Sequence, residues 1–497
     1  MKRNWTVILL VLMLGCLLRI WTIGKSSLWF DEAFTRDAAH YSDPLSLLQQ
    51  RDIGDTLPPL HLALLSAWWR ITGDSEVSLR MLSALFGMLA IPAYFHLGRL
   101  MFGELAGTIA VTLGALSPMA IAYAQEVRFY AQSIFFGAWV LVGLIAIIRG
   151  KRYGFPLYLF GAIGGLYTHY FIGVMLAAAH LGLLLYRPAR ERWRQWLAAD
   201  LIAAIAFLPQ VAIFLRQASA ILGSFWIAKP NIAQPFTTTP LFLLYGATLP
   251  AILANAGIVI LVITVVTGGF DLFRYAPPRV RAYWMLGIGT ILLTLLIVLV
   301  VSDVKSSIYL DRSFAVLSGP LIVLIAGGAA YARRPSPVPI LIAGLIVLMV
   351  AGDLRYALTP NDSKPPFRQI AADIVAQPDA LTTPIIYLHD ATFLPMDYYV
   401  PALSHNSILI DLGTRSWLYP ADVLYPTMWT TFGANRVPLD VIERDHLQGT
   451  FRVIMAATVA PEDFLMERTL VNRLTATCAT REHDYPPAVS VWEFNCP

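Results

Sequence analysis

Two adjacent carboxylates, Asp31 and Glu32, stand just past the first apolar run, in the segment WFDEAFT (29–35). They sit between Trp29-Phe30 and Ala33-Phe34, an apolar setting for ionisable groups at a membrane surface, where such groups are costly and tend to be functional. A carboxylate there can act as general base toward an acceptor hydroxyl. A helix cap or a solvated loop acid is the plainer alternative. Four cations complement the pair: Arg80 in LRMLSALFG, Arg128 in QEVRFY (125–130), and Lys305 and Arg312 in SDVKSSIYLDRS (302–313). Arginine holds phosphate through paired charge-assisted hydrogen bonds and can stabilise it as a leaving group. For each cation the alternative is snorkelling to headgroups or pairing with Glu126 or Asp311. Tyr123, Gln125, Glu126, Tyr130, His61, His169, Tyr170 and Trp226 are the polar and aromatic side chains expected to line a substrate cavity. No cofactor is expected. Asp31, Glu32 and His61 could form a divalent metal site, but their spacing is not diagnostic.

The elements that must position these residues are membrane helices. Of 497 residues, 57% are hydrophobic and 14% charged, against about a quarter charged in soluble proteins. About eleven apolar runs have the length of a span, roughly 17–25 residues: 5–23, 77–98, 105–123, 131–148, 154–169, 171–186, 197–215, 241–267, 283–301, 313–331 and 338–352. The first, after Met1-Lys2-Arg3, is too long for a signal-peptide core and has no small-residue cleavage site, so it reads as an uncleaved span. With the N-terminus inside, alternate loops collect Arg99; Arg149, Lys151 and Arg152; Arg187, Arg190, Arg192 and Arg194; Arg274, Arg279 and Arg281; and Arg333 and Arg334. That register obeys the positive-inside rule at every turn. It places every unusual polar motif outside, including GDTLPPLH (54–61), THYF (168–171) and FWIAKPN (225–231). The expected fold is an α-helical polytopic membrane protein with a C-terminal α/β extracytoplasmic domain.

Residues 1–353 are expected to form the membrane module. Its first outer loop, about 24–76, carries a helix started by Asp43-Pro44 and an interfacial helix running from Pro58-Pro59 to Gly73. Residues 354–497 form the soluble domain. Its strand-like runs are Thr383–His389, Ser407–Leu412, Phe451–Ala456 and Val489–Phe494, and its helical patterns Phe367–Ala376 and Glu462–Leu474. Outside the cell Cys478 and Cys496 can pair. No Walker pattern and no inside nucleotide domain is present, which disfavours ATP-driven and nucleotide-sugar chemistry.

Taken in order, WFDEAFT, PPLH (58–61), GDSEVSLRMLSALFG (73–87), GRLMFGELAG (98–107) and LSPMAIAYAQEVRFYAQ (116–132) resemble the GT-C membrane glycosyltransferases. The likeness is to the superfamily of protein O-mannosyltransferases and aminoarabinose-lipid A transferases (glycosyltransferase family 39, with RgtA-like bacterial members), over about residues 1–350. The resemblance implies a polyprenyl-phosphate-linked sugar donor, transfer on the outer face, and inversion at the anomeric carbon. It implies that Asp31 matches the catalytic acid of the family's Asp-Glu motif and Glu32 the second acid. Arg80 matches the arginine of an Arg-x-x-Ser-Ala pattern, and Arg128 and Tyr130 an Arg-x-Tyr segment bordering the site. The family often has His-Pro-Pro where this chain has Leu57-Pro58-Pro59, so position 57 does not carry that histidine; His61 is close by. Expected partners are the lipid-linked sugar, an acceptor lipid, polysaccharide or protein, and membrane lipids, with no nucleic acid. The rivals are a lipid-linked-sugar flippase, disfavoured by the lack of inverted repeats and of polar residues near the bilayer midplane, and an O-antigen-type polymerase or ligase, disfavoured because the long outer loop is the first. A bacterial inner membrane is the expected location.

Overall fold

The computed structural model describes residues 5–40, 43–49, 57–184, 191–223, 227–359, 364–388, 390–411, 435–438, 447–456, 461–486 and 489–497. Two compact units emerge, each discontinuous in sequence. The first comprises Met1–Ile23, Thr56–His61 and Arg80–Leu358; the second comprises Gly24–Asp55, Leu62–Leu79 and Thr359–Pro497.

The first unit is helical, and the chain is a multi-pass membrane protein. Its elements run α1 (Trp5–Ile20), then, after three helices described below, α5 (Glu76–Phe102), α6 (Glu104–Ala115), α7 (Pro118–Ala124), α8 (Tyr130–Ile148), α9 (Gly154–Leu166), α10 (Phe171–Leu184), α11 (Trp193–Gly223), α12 (Thr238–Tyr245), α13 (Ala251–Tyr275), α14 (Pro278–Val304), α15 (Ser318–Tyr331) and α16 (Val338–Leu358). Among the described residues seven helices are long and apolar enough to cross a membrane, or eight if α6 and α7, bent by 53°, are one span; α1, α9 and α10 are shorter apolar helices. The eleven apolar runs fall on these segments. One boundary differs: the run at 241–267 is interrupted at Gly246, where φ is +60°, and the long helix begins only at Ala251. Glycine tolerates that backbone conformation without steric cost.

Side chains of Ile252, Val266, Leu208, Ile340 and Met13 are more than half exposed, as lipid-facing residues would be. Inside the bundle, small residues set the closest approaches. A Cβ on Gly143 would lie 2.4 Å from the backbone of Tyr158, and one on Gly161 would lie 2.6 Å from that of Val140. These two glycines let α8 and α9 pack backbone to backbone.

The second unit holds α2 (Phe30–His40), α3 (Pro44–Gln49) and, from Leu62 onward, α4 (Leu60–Thr72) with the tail. Asp43 caps α3, its Oδ1 accepting from the amides of Leu45 (3.0 Å) and Ser46 (3.1 Å). With 13 residues α4 is too short to span. The tail forms α17 (Phe367–Val375), α18 (Asp390–Tyr399), α19 (Pro461–Thr477) and six strands: β1 (Ile385–Tyr387), β2 (Ser407–Asp411), β3 (Asn435–Pro438), β4 (Gly449–Ala456), β5 (Ala479–Tyr485) and β6 (Val489–Cys496). The sheet order is β3-β2-β1-β4-β6-β5. It is parallel from β3 through β4, and antiparallel where β6 joins β4 and β5. Strands β3 and β5 were not legible as apolar alternations, because Asn435-Arg436 and Arg481-Glu482-His483-Asp484 put polar groups on edge positions, where strands commonly carry charge. Ile386, Phe451, Val453, Val471 and Phe494 form the core of this sheet. A disulfide joins Cys478, at the end of α19, to Cys496 on β6, with Cα atoms 4.5 Å apart.

Candidate active site

The acid pair opens α2. The carbonyl of Trp29 accepts the amides of Glu32 (3.0 Å) and Ala33 (2.9 Å), so the helix begins as the carboxylates arrive. Acids in a first turn are favoured by the helix dipole. The two have different environments. Asp31 is partly exposed, whereas Glu32 is fully buried and paired with the ammonium of Lys364 at 2.9 Å. Lys364 is itself buried, so the ion pair is shielded from solvent on both sides. A buried carboxylate persists as an ion only when paired in this way. Lys364 was not read from the sequence; it lies 332 residues from its partner in the segment after α16, and nothing in SKPP announces the pairing.

The rest of α2 is fixed by the same unit. Arg36 donates from Nε to both carboxylate oxygens of Asp74 (3.2 and 3.1 Å) and from Nη1 to Asp37 (2.6 Å). Burial pushes the Asp37 carboxyl up to about 7 against the opposing charge of Arg36. The His40 ring stacks on Trp69 at 4.2 Å, and Trp69 Nε1 donates to the carbonyl of Ala39 at 3.2 Å. From the tail, Tyr399 donates to Glu76, its hydroxyl accepts the Leu28 amide at 2.7 Å, and Arg368 reaches Glu76 and the carbonyl of Gly24 (3.1 Å). The segment carrying the acids is thus held by tail residues 364–399.

In the first unit the structure gathers cations and aromatic rings. Arg80 is fully buried and donates to the carbonyl of Ile23 at 2.9 Å. One turn along α5, Ser83 donates to the carbonyl of Arg128 at 3.1 Å. That contact brings the two arginine segments side by side. The Arg128 guanidinium lies 5.3 Å from the ring centre of Phe129 and 6.0 Å from that of Tyr130; Arg312 lies 6.0 Å from the same Tyr130 ring. Tyr123 packs on Tyr130 at 4.5 Å. A guanidinium over an aromatic face is attracted by the ring quadrupole. Glu126 is buried two residues before Arg128, whose amide donates to the Glu126 carbonyl (2.8 Å).

Two histidines flank this cluster as neutral bases. His61 Nδ1 lies at hydrogen-bond distance, 3.1 Å, from Gln132 Oε1, which accepts, and Gln132 Nε2 donates to Thr168 Oγ1 at 2.9 Å. With the amide so oriented, His61 Nδ1 carries the proton. His169 stacks on Phe129 at 4.8 Å. Burial, with the charge of Arg128 adding to it, pulls His61 down to about 4 and His169 to about 3. Gln132, Thr168 and Ser83 are site neighbours that sequence reasoning passed over; Ser83 carried a signal, three residues after Arg80 on one helix face.

Other expected residues stand apart. Tyr170 donates to Gln217 at 2.5 Å and packs on Phe214, so it ties α10 to α11. Lys305 is exposed at the end of α14. Asp311 accepts from Thr239 at 2.6 Å and from Gln234 at 3.4 Å. Trp226 lies outside the described residues. Among the described residues no three His, Cys, Asp or Glu side chains converge as a metal site.

Residues 56–191 match the family model of dolichyl-phosphate-mannose-protein mannosyltransferases. The structure of ArnT from Cupriavidus metallidurans bound to undecaprenyl phosphate is similar over 99% of this chain and 98% of that one, with a TM-score of 0.61 at 13% identity. The same ArnT in the apo state gives 0.60 at 12% identity, over 98% of each chain. At that identity the likeness is one of fold. Among curated protein sequences none matches this chain.

Proposed function

We propose that this chain, a GT-C-fold glycosyltransferase of the superfamily that contains the protein mannosyltransferases and ArnT, moves a monosaccharide from a polyprenyl-phosphate donor to an acceptor hydroxyl. The observation that carries the reading is the pair Arg128 and Arg312 around Tyr130, with the Arg80 helix joined to the Arg128 segment through Ser83 and two neutral histidines beside them, in a chain with the fold of a protein solved with undecaprenyl phosphate. Guanidinium groups in a buried cluster suit a lipid phosphate, which they hold through paired charge-assisted hydrogen bonds.

In this reading Asp31 takes the proton of the acceptor hydroxyl. The acceptor oxygen attacks the anomeric carbon opposite the phosphate, and the C–O bond to phosphate breaks with inversion. Arg80 and Arg128, with Arg312 or Lys305, receive the negative charge of the departing polyprenyl phosphate. Glu32, neutralised by Lys364, is assigned to holding α2 rather than to proton transfer. No nucleotide is consumed, because the phosphate ester of the donor is already activated. The site faces the outside of a bacterial inner membrane, with the N-terminus in the cytoplasm, in accord with the positive-inside distribution of arginines. Lipid, polysaccharide and protein hydroxyls are the acceptor classes this chemistry serves.

The test uses purified wild-type and Asp31→Asn protein, each incubated with radiolabelled sugars on polyprenyl phosphate and with membrane extract as acceptor. Release of free polyprenyl phosphate by the wild type alone is the expected result. No release from any such donor by folded wild-type protein would overturn the donor class, and equal release by Asp31→Asn would remove Asp31 as the base.

A further inference from the structure

Helices α6 and α7 are one apolar run broken by 53°. The break has a local cause. Pro118 opens α7 and has no amide proton, so the carbonyl of Gly114, four residues earlier, lacks the donor a continuous helix would supply. Ser117 caps the new helix, accepting from the Ala120 amide at 3.4 Å.

The open carbonyls are met from another helix. Arg19, in the last turn of α1 and with no exposed surface, donates through Nη2 to Gly114 O at 3.0 Å. Through Nη1 it donates to Ala115 O at 3.1 Å and to Gly15 O at 2.8 Å. A guanidinium presents several N–H groups in a fixed fork, which a lysine ammonium does not. Gly15 makes the approach possible: a Cβ there would lie 2.9 Å from that of Ala115.

The same turn of α1 also holds the far end of α7. Thr22 donates to Gln125 Oε1 at 2.8 Å, and Gln125 Nε2 donates to Leu18 O at 3.0 Å. Gln125 is the C-cap of α7 and is buried. Glu126 and Arg128 follow it directly, and Ile23 O, at the end of the same segment, accepts from Arg80. One short stretch, residues 18–23, therefore grips the break before α7, the cap after it, and Arg80.

We propose that Arg19 is a positioning residue for the lipid-phosphate site: by replacing the amide that Pro118 lacks, it fixes the α6–α7 bend and so sets Arg128 beside Arg80. The proposal rests on the function proposed above. Arg19 does not touch the donor; it acts through α7 and Gln125.

The experiment compares wild type, Arg19→Lys and Thr22→Val in lipid nanodiscs, with thermal midpoint, equilibrium binding of polyprenyl phosphate, and separate KM values for donor and acceptor. Arg19→Lys is expected to fold, to weaken polyprenyl-phosphate binding and raise the donor KM by about tenfold, and to leave the acceptor KM within about twofold. Thr22→Val, which removes a single hydrogen bond to Gln125, shifts the same two quantities by roughly threefold, and keeps the test alive should Arg19→Lys fail to fold. Unchanged donor KM and binding in a folded variant would overturn the positioning role. So would losses that fall equally on donor and acceptor in step with lost folded protein. If wild type itself binds no polyprenyl phosphate, the proposed function fails along with this inference; if wild type binds and Arg19→Lys binds equally, only this inference fails.

Discussion

The two charged regions of the molecule are built on opposite plans. In the second unit several acids meet cations directly: Glu32 has Lys364, Asp74 and Asp37 share Arg36, and Glu76 has Arg368. In the first unit Arg80 lies against a carbonyl, and Arg128 and Arg312 against aromatic rings, with histidines held neutral nearby. Paired charges rigidify a scaffold, because removing one partner strands the other in a medium that solvates it poorly. In the proposed function the cations on dipoles and rings meet the anion that arrives with the donor. In the proposed function the first set supports and the second binds, and Asp31, partly exposed, is the acid assigned to the chemistry.

That contrast can be broken at several points. The largest effect is expected from Asp31→Asn: turnover falls by about 10²–10⁴-fold, the usual worth of a general base, while the circular dichroism spectrum and thermal midpoint stay at wild-type values. Arg128→Lys keeps the charge but loses the planar fork, and should raise the donor KM by about tenfold with folding intact. An unchanged KM would place the phosphate elsewhere. Lys364→Met strands Glu32 and is expected to cost roughly 3–5 kcal/mol in denaturant or thermal unfolding. Adding Glu32→Gln should recover much of that loss; a double variant no better than the single one would show that Lys364 acts through something other than the ion pair.

Smaller effects sharpen the account of the tail. Replacing Cys478 and Cys496 by serine opens a loop closed over a separation of 18 residues, with an expected loss of about 2–4 kcal/mol. The smallest effect is that of Asp37→Asn, read against pH. The folded state holds the Asp37 proton up to about 7, whereas the unfolded chain releases it near 3.8. Between those values the unfolded state binds fewer protons, so Asp37 destabilises the fold progressively as pH rises through that window. The asparagine stays neutral, so its thermal midpoint should match wild type near pH 4 and exceed it by a few degrees above pH 7. A gap that narrows with rising pH would reverse the assignment.

Much of the helical architecture was legible in the sequence because a spanning helix must be about 20 apolar residues long, and composition alone reveals that. The eleven runs needed no knowledge of neighbours. The tail strands β1, β2, β4 and β6 were legible for a similar reason, being short apolar runs. Arg80 and Arg128 stood out because arginines away from the loops that collect positive charge require a reason, and Tyr130 through the resemblance; the structure sets Arg128 at the Tyr130 ring and links its segment to α5 through Ser83.

What the sequence determined by itself was therefore a hydrophobic pattern and a set of misplaced charges: a membrane protein, an acid pair after the first span, and arginines at helix ends. Only the tertiary structure decided which charges neutralise which. The pairing of Glu32 with Lys364, the fork of Arg19 on the carbonyls of Gly114 and Ala115, and the neutrality of His61 and His169 all depend on groups separated by tens to hundreds of residues. The physical reason is that partition into a membrane is a property of each segment, whereas the state of a buried charge is fixed by the few atoms within hydrogen-bonding reach.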